Sequence, residues 1–354
     1  MKTLKLFGMA LFAVLMCVNF ASCSSDTKFI DDEQEFYTVK IGWRGDWNVT
    51  YEPLSRIASD DVYGIQVYTT PDKEDSQEGW TAYAYGLFDD AENISIKLMK
   101  GYKYKFVATM VKNAKNVLSN SSNYFDKPFN IGIHQGGGGF FQETVLLNNS
   151  FTYGTNTFWN ELQSGESSLK QSSNGQYSFE HPNTDRFYGE CLNYVPNQNE
   201  DVSIPLKRVS FGASFVAINT VAKTGKLDIQ LTDAPKLEID FTAGQLDQFW
   251  AKDIFTFCDI KEAYDGDDFS EVISVTINWI RDDGATIPLG THPITYKRNK
   301  NTIVTIKINN ISSDDTIGFT IDNKETLDFD NMDQDNDTTI EDGEIVEPNV
   351  NPTI

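Results

Sequence analysis

The sequence predicts an all-β protein of two antiparallel β-sandwiches, and three observations carry that prediction. Apolar and polar residues alternate in short runs such as YTVKIGW (37–43) and EVISVTINWI (271–280), the period of a half-buried strand. Asn, Asp, Ser, Thr and Gly gather between these runs, where turns need them. No segment of helical period exceeds about a dozen residues, and a chain of 354 residues is more than one small domain.

The first element is a leader, residues 1–22. Lys2 and Lys5 give it a positive start, and an apolar run from Leu6 to Val18 follows. That run is too short to span a bilayer and the right length for a signal-peptide core. Ala21 and Ser22 then precede Cys23, and the polar Ser24, Ser25 and Asp26 come at once after it. The pattern resembles a bacterial lipoprotein signal, which implies cleavage before Cys23 and acylation of its thiol. The alternative is a plain secretory signal ending at Ala21-Ser22. Two or three acyl chains would make a lasting anchor, where a single chain binds only marginally. Residues 23–35 read as a polar tether carrying Asp31, Asp32 and Glu33. A similar acidic patch accompanies export in surface lipoproteins of Bacteroides-type bacteria. The location this implies is the outer membrane, lipid-anchored and facing outward.

Residues 36–205 read as the first sandwich. YTVKIGW (37–43), VYGIQVYTT (62–70) and WTAYAYGLF (80–88) are strands, and ISIKLMKGYKYKFVATMV (94–111) reads as a hairpin about Met99-Lys100-Gly101. A long insertion rich in Asn, Ser and Gly follows, with TNTFWNELQ (155–163) as one short helix. Residues 206–330 read as the second sandwich, from LKRVSFGASFVAI (206–218) through PITYKRNKNTIVTIKIN (293–309). Residues 331–354 form an acidic tail. An internal echo supports the division: Ile94, Lys97 and Lys100 in the first block match Ile294, Lys297 and Lys300 in the second. It predicts equivalent hairpins in two similar domains.

The same segments carry a family resemblance. ITYKRNKNTIVTIKI (294–308), with Arg298 and Asn299 ahead of an alternating strand, is similar to the penultimate-strand motif of the fimbrillin superfamily. LKRVSFGASFVAI, with Arg208 after an apolar start, resembles that family's late first-domain strand. The resemblance spans roughly residues 30–330 and is nearest to anchor-type lipoproteins of Bacteroidales. It implies two tandem transthyretin-like (Greek-key) β-sandwich domains. It implies other fimbrial or surface proteins as partners, met by strand donation in which main-chain hydrogen bonds give the strength. Subunits of this type lose an N-terminal strand after an Arg, for which Arg44 is a candidate, with a turn residue as its plainer role. The C-terminus departs from a donor strand, since DNMDQDNDTTIEDGEIVEPNVNPTI is acidic and does not alternate. An anchor, cap or accessory role fits better than polymerisation.

Charge narrows the partners. Lys and Arg number 29 against 52 Asp and Glu, a net −23, which becomes −25 once the leader is removed. Such a surface disfavours nucleic acid and anionic lipid. Cys191 and Cys258 remain in the mature chain and could pair, though Cys258 in IFTFCDI reads as a buried small hydrophobe. His134, His181 and His292 are isolated, with His181-Pro182 reading as a turn. No GxSxG, HExxH or Walker loop occurs, and GGGG (136–139) lacks the Lys of a phosphate cradle. The expectation is a protein without catalytic activity. The alternative is a glycan-binding surface lipoprotein of a polysaccharide-capture system, and host glycan or protein is a further candidate partner: Trp47, Trp159 and Trp250 sit in loop-like contexts and could stack on sugars, whereas Trp43 and Trp279 read as core.

In the tail, Asp333, Asp335, Asp337, Thr339, Glu341 and Glu344 occupy the ligand offsets of an EF-hand calcium loop. Thr338 stands where that loop needs Gly, and Pro348 and Pro352 follow where it needs a helix. A solvated acidic tail is the plainer reading and calcium the alternative; no other cofactor is expected.

Overall fold

The computed structural model describes residues 35–45, 60–73, 79–115, 129–135, 139–144, 147–154, 158–162, 179–197, 201–218, 224–241, 248–311, 317–328, 340–341 and 344–345. Its first lobe contains β1 (Phe36–Gly45), β2 (Val62–Pro71), β3 (Thr81–Phe88), β4 (Ser95–Met99), β5 (Tyr102–Val111) and β6 (Asn130–Gln135). It continues with β7 (Gly139–Thr144), β8 (Ser150–Tyr153), β9 (Phe158–Leu162), β10 (Arg186–Tyr194) and β11 (Val202–Arg208). Eight of these strands follow one another in the order β4-β1-β11-β10-β5-β2-β3-β8, and β7-β6-β9 form a separate small sheet. Every neighbouring pair in the first sheet is antiparallel except β1 with β11.

Alternation sets which face is buried. In β1, Val39 and Ile41 point inward while Thr38 and Lys40 are exposed. They join Ile65, Val67, Leu98, Phe106, Ile204 and Leu206 in one core. β2 and β5 lack this alternation because both their faces are covered. On the outer face Val62 and Val111 pack against Phe129 and Leu162. Gly64 permits that approach, since a Cβ there would lie 2.7 Å from Phe129.

The second lobe contains β12 (Ser210–Ile218), β13 (Lys226–Leu231), β14 (Leu237–Asp240), β15 (Gln248–Thr256), α1 (Ile260–Asp265), β16 (Ser270–Ile280), β17 (Thr286–Lys297), β18 (Lys300–Ile311) and β19 (Ile317–Asp328). Two four-stranded sheets, β15-β12-β18-β19 and β14-β13-β16-β17, share a core that includes Phe211, Phe215, Leu227, Ile277, Tyr296 and Val304. As in the first lobe, the opening strand has a parallel partner late in the chain, here β12 with β18. Beyond the lobes, β20 (Ile340–Glu341) and β21 (Glu344–Ile345) pair with each other.

The lobes change at Val209, whose N–H donates to the Arg186 carbonyl over 2.8 Å. Leu206, Lys207 and Arg208 complete β11. Val107 and Tyr188 of the first lobe join the core of the second.

Three expectations are corrected. The segments 94–111 and 293–309 are not hairpins. β4 pairs with β1 while β5 pairs with β2 and β10; β17 pairs with β16 while β18 pairs with β12 and β19. Each Lys-rich turn is an arch between strands that are not paired with each other, the first joining strands four places apart in one sheet and the second joining strands of two sheets, so the internal echo is one of arches. Their backbone groups bond outward: Lys100 N–H to Glu35 and Asn299 N–H to Ser210, each over 2.9 Å. Residues 158–162 form β9, paired with β6, where a helix was expected. Its Leu162 N–H donates over 2.7 Å to the buried Gln66 Oε1, a tertiary bond that local propensity does not report.

Candidate functional site

Two arrangements stand out, one at an edge of the first lobe and one where the lobes meet. The first concerns β4. Its inner edge is paired with β1, and the residues in between leave the backbone of Lys97 and Met99 facing away. Tyrosine hydroxyls meet those groups. Tyr83 donates to the Lys97 carbonyl over 2.7 Å, and the Lys97 N–H donates to the Tyr153 oxygen over 3.2 Å. Met99 N–H donates to Tyr104 over 2.7 Å, and Tyr104 donates back to the Met99 carbonyl over 3.2 Å. The rings support one another, with Tyr83 edge-on to Tyr104 at 5.3 Å and to Tyr153 at 5.4 Å. Because Tyr83 and Tyr153 belong to β3 and β8 at the far end of the sheet, the sheet curls until its ends meet. It is closed by phenols where a barrel would use main chain. β1 links the two halves of this closure, antiparallel to β4 over Phe36–Lys40 and then parallel to β11 over Ile41–Gly45.

The second arrangement gathers the three motif residues of the sequence. Arg208 closes β11 and is nearly buried, and its guanidinium holds Asp185 through two bonds of 3.0 and 3.3 Å. It also donates to Asn299 Oδ1 over 3.0 Å and lies 4.8 Å over the Phe187 ring. Asn299 adopts φ +56°, a turn geometry that Asn tolerates. Arg298 donates to the carbonyls of Arg208 (3.2 Å), Gly266 (3.3 Å) and Asp267 (2.9 Å). Burial pushes the Asp185 carboxyl up, while Arg208 and Lys112 pull it down. α1 completes the joint: Lys207 donates to the Tyr264 carbonyl over 3.3 Å, and Tyr188 meets the Tyr264 ring at 5.2 Å. Arg208, Arg298 and Asn299 thus tie the arch of the second lobe to the last strand of the first.

A strap over 179–185 also crosses between lobes. Thr256 N–H donates to the Pro182 carbonyl over 3.0 Å, and His181 N–H donates to Asp233 over 2.9 Å. His181 is buried, with Nδ1 at 3.3 Å from the Thr256 carbonyl and Nε2 at 3.5 Å from Glu271. Burial holds the His181 pKa down and lifts Glu271 to about 7, the latter reinforced by Asp259 and Glu180. Sequence reasoning missed Asp185, the tyrosines and Glu271, since each acts through a partner distant in the chain.

The other candidates are dispersed. Trp250 lies in β15 against Val216, Ile218 and Ile303, half-buried in a small cluster. Trp159 falls in β9. Trp279 is core, and Trp43 is half-buried with its Nε1 donating to Ala91 over 3.1 Å. Arg44 lies within β1 opposite Pro205, in a strand where a turn was the plainer expectation. No disulfide joins Cys191 and Cys258, and Cys258 is buried as expected. Glu341 and Glu344 are register partners in the β20–β21 pair. Cys23, Trp47, Asp333, Asp335, Asp337 and Thr339 lie outside the described residues, among which no group of acidic, His or Cys side chains is placed to hold a metal.

No protein-family model matches the chain, and no curated protein matches it. Solved structures do. The chain is similar to a candidate adhesin of Bacteroides thetaiotaomicron, at 12% identity and TM-score 0.36, over 81% of this chain and 96% of that one. It is similar to the fimbrial anchor protein of Porphyromonas gingivalis, at 9% identity and TM-score 0.34, over 84% and 100%. It is similar, too, to a Bacteroides thetaiotaomicron protein described as polysaccharide-binding, at 11% identity and TM-score 0.34, over 82% and 98%. All three TM-scores are below 0.5.

Proposed function

We propose that this chain is a cell-surface lipoprotein of the fimbrillin-like type, held in the outer membrane by acyl chains on Cys23. It serves as a fimbrial anchor, accessory or adhesion subunit. It works by β-strand contact with other fimbrial or surface proteins and not by catalysis. The observation that carries this reading is the seat of β1. The strand changes partner along its length, antiparallel to β4 over Phe36–Lys40 and parallel to β11 over Ile41–Gly45, and Val39 and Ile41, 1% and 3% exposed, fill the core of the first lobe. A seat of that form holds an extended segment by main-chain bonding, with alternate side chains giving specificity. The two lobes agree in number with the tandem domains that the resemblance implies, and the Arg208 joint keeps them as one body able to carry load between a membrane and a partner.

Electron microscopy of cells with and without the protein tests this reading. Loss, shortening or shedding of pili on deletion is expected. Unaltered pili together with strong hits on a glycan array would replace the reading with polysaccharide capture.

A further inference from the structure

Among the described residues five large apolar side chains are exposed: Trp80, Tyr153, Leu192, Val195 and Val272. Three of them gather at one end of the first lobe, and the strand registers show how. Tyr194 pairs with Tyr104, which puts Val195 beside Lys103. Lys103 pairs with Thr70, and Thr69 with Thr81, which puts Trp80 beside Thr70. Val195, Lys103, Thr70 and Trp80 thus form a row across four adjacent strand ends, about 15 Å wide at the usual strand spacing. The ladder shifts between Cys191 and Tyr194, where Asn193 takes φ +56°, and Leu192 beside it is 54% exposed. Trp80 and Val195 are 38% and 44% exposed, and Tyr102 stands half-buried in the same rim.

This is also the end where the chain from Cys23 arrives. Glu35 accepts from Lys100 N–H over 2.9 Å, and Phe36 opens β1 opposite Met99. The opposite ends of the same strands, at Arg186, Val111 and Val62, lie by the joint with the second lobe. Cys23 and Glu35 are 12 residues apart in sequence, which spans about 40 Å at most. The rim's described charges are largely paired with each other, Lys100 with Glu35 at 2.7 Å and Lys103 with Asp72 at 3.0 Å. What it offers outward is a Trp, a half-buried Tyr and two aliphatic side chains, the composition suited to the boundary between lipid headgroups and acyl chains.

We propose that this rim of Trp80, Leu192 and Val195 rests on the lipid surface beside the anchor, so that the first lobe stands on the membrane and the second points away from it. The proposal rests on the lipoprotein reading, because the net charge of −23 disfavours a free approach to anionic lipid and the acyl chains supply the proximity. Contact is through apolar insertion and not through charge.

The test places a photo-crosslinking residue at position 192, 195 or 272 of the full chain expressed in its cell envelope. Adducts are identified by mass, and the acyl state of Cys23 is read from the same sample. Lipid adducts at 192 and 195 but not at 272 are expected. Protein adducts at 192 and 195, lipid adducts at all three positions, or no lipid adducts with Cys23 acylated would each overturn the proposal while leaving the anchor intact. An unmodified Cys23 would remove the anchor reading itself. In that case lipid adducts confined to 192 and 195 would sustain the rim as an independent membrane contact, and their absence would overturn it.

Discussion

The two arches are built from similar sequence and serve different ends. At the first, Lys100-Gly101, the turn is exposed and the ordering comes from behind it, where Tyr104 holds Met99 and the phenols close the sheet. At the second, Arg298-Asn299, the turn itself is gripped by Arg208 from the other lobe. A Lys-rich turn between alternating strands here joins strands that do not pair with each other, and residues remote in sequence decide whether it closes a lobe or joins two. The tyrosines show the same dependence on setting. Tyr104 is fully buried and bonded, whereas Tyr296 is fully buried and its hydroxyl meets no partner among the described residues.

The largest effect is expected at the joint. Arg208→Ala leaves the Asp185 carboxylate buried without its main partner, and denaturant unfolding should register a loss of about 3–5 kcal/mol. A change below about 1 kcal/mol would mean that the pair is solvated and the joint weak. Next comes Tyr104→Phe, which strands the Met99 N–H and should cost about 1–3 kcal/mol. An unchanged denaturation midpoint would show that water replaces the phenol.

The third prediction concerns pH. Glu271 binds its proton more tightly when folded than its ordinary value of 4.5, with a pKa near 7. Its stabilising contribution is thus complete at acid pH and is lost as the pH rises through that interval. Glu271→Gln should remove the loss, raising stability at pH 8 by about 1 kcal/mol after allowance for partial exposure, with little change at pH 4. His181 acts oppositely, since its lowered pKa weakens the fold as pH falls below its ordinary range. Equal melting shifts for the variant at both pH values would contradict the assignment to Glu271. The smallest effect is expected at Tyr296→Phe, which removes an unpaired hydroxyl from the core and should be neutral or stabilising by up to about 1 kcal/mol. A clear destabilisation would reveal a partner for that oxygen.

The strands were legible wherever one face meets solvent, as in β1 and β16, because period-two alternation is a direct record of burial. β9 was not, since its pairing with β6 and its bond to Gln66 are tertiary facts. The hairpin reading of both arches failed for a related reason: alternation and a tight turn identify two strands but not the sheet each joins. Arg208, Arg298 and Asn299 could be singled out from sequence, yet their convergence needed Asp185, which sits in a Ser- and Asn-rich stretch with nothing local to mark it.

The claim beneath all of this is that the two lobes unfold and act as one body. Differential scanning calorimetry of the mature chain addresses it most directly. A single transition whose calorimetric and van't Hoff enthalpies agree is the predicted result. Two separated transitions in the unmodified protein would show that the Arg208 joint does not couple the lobes.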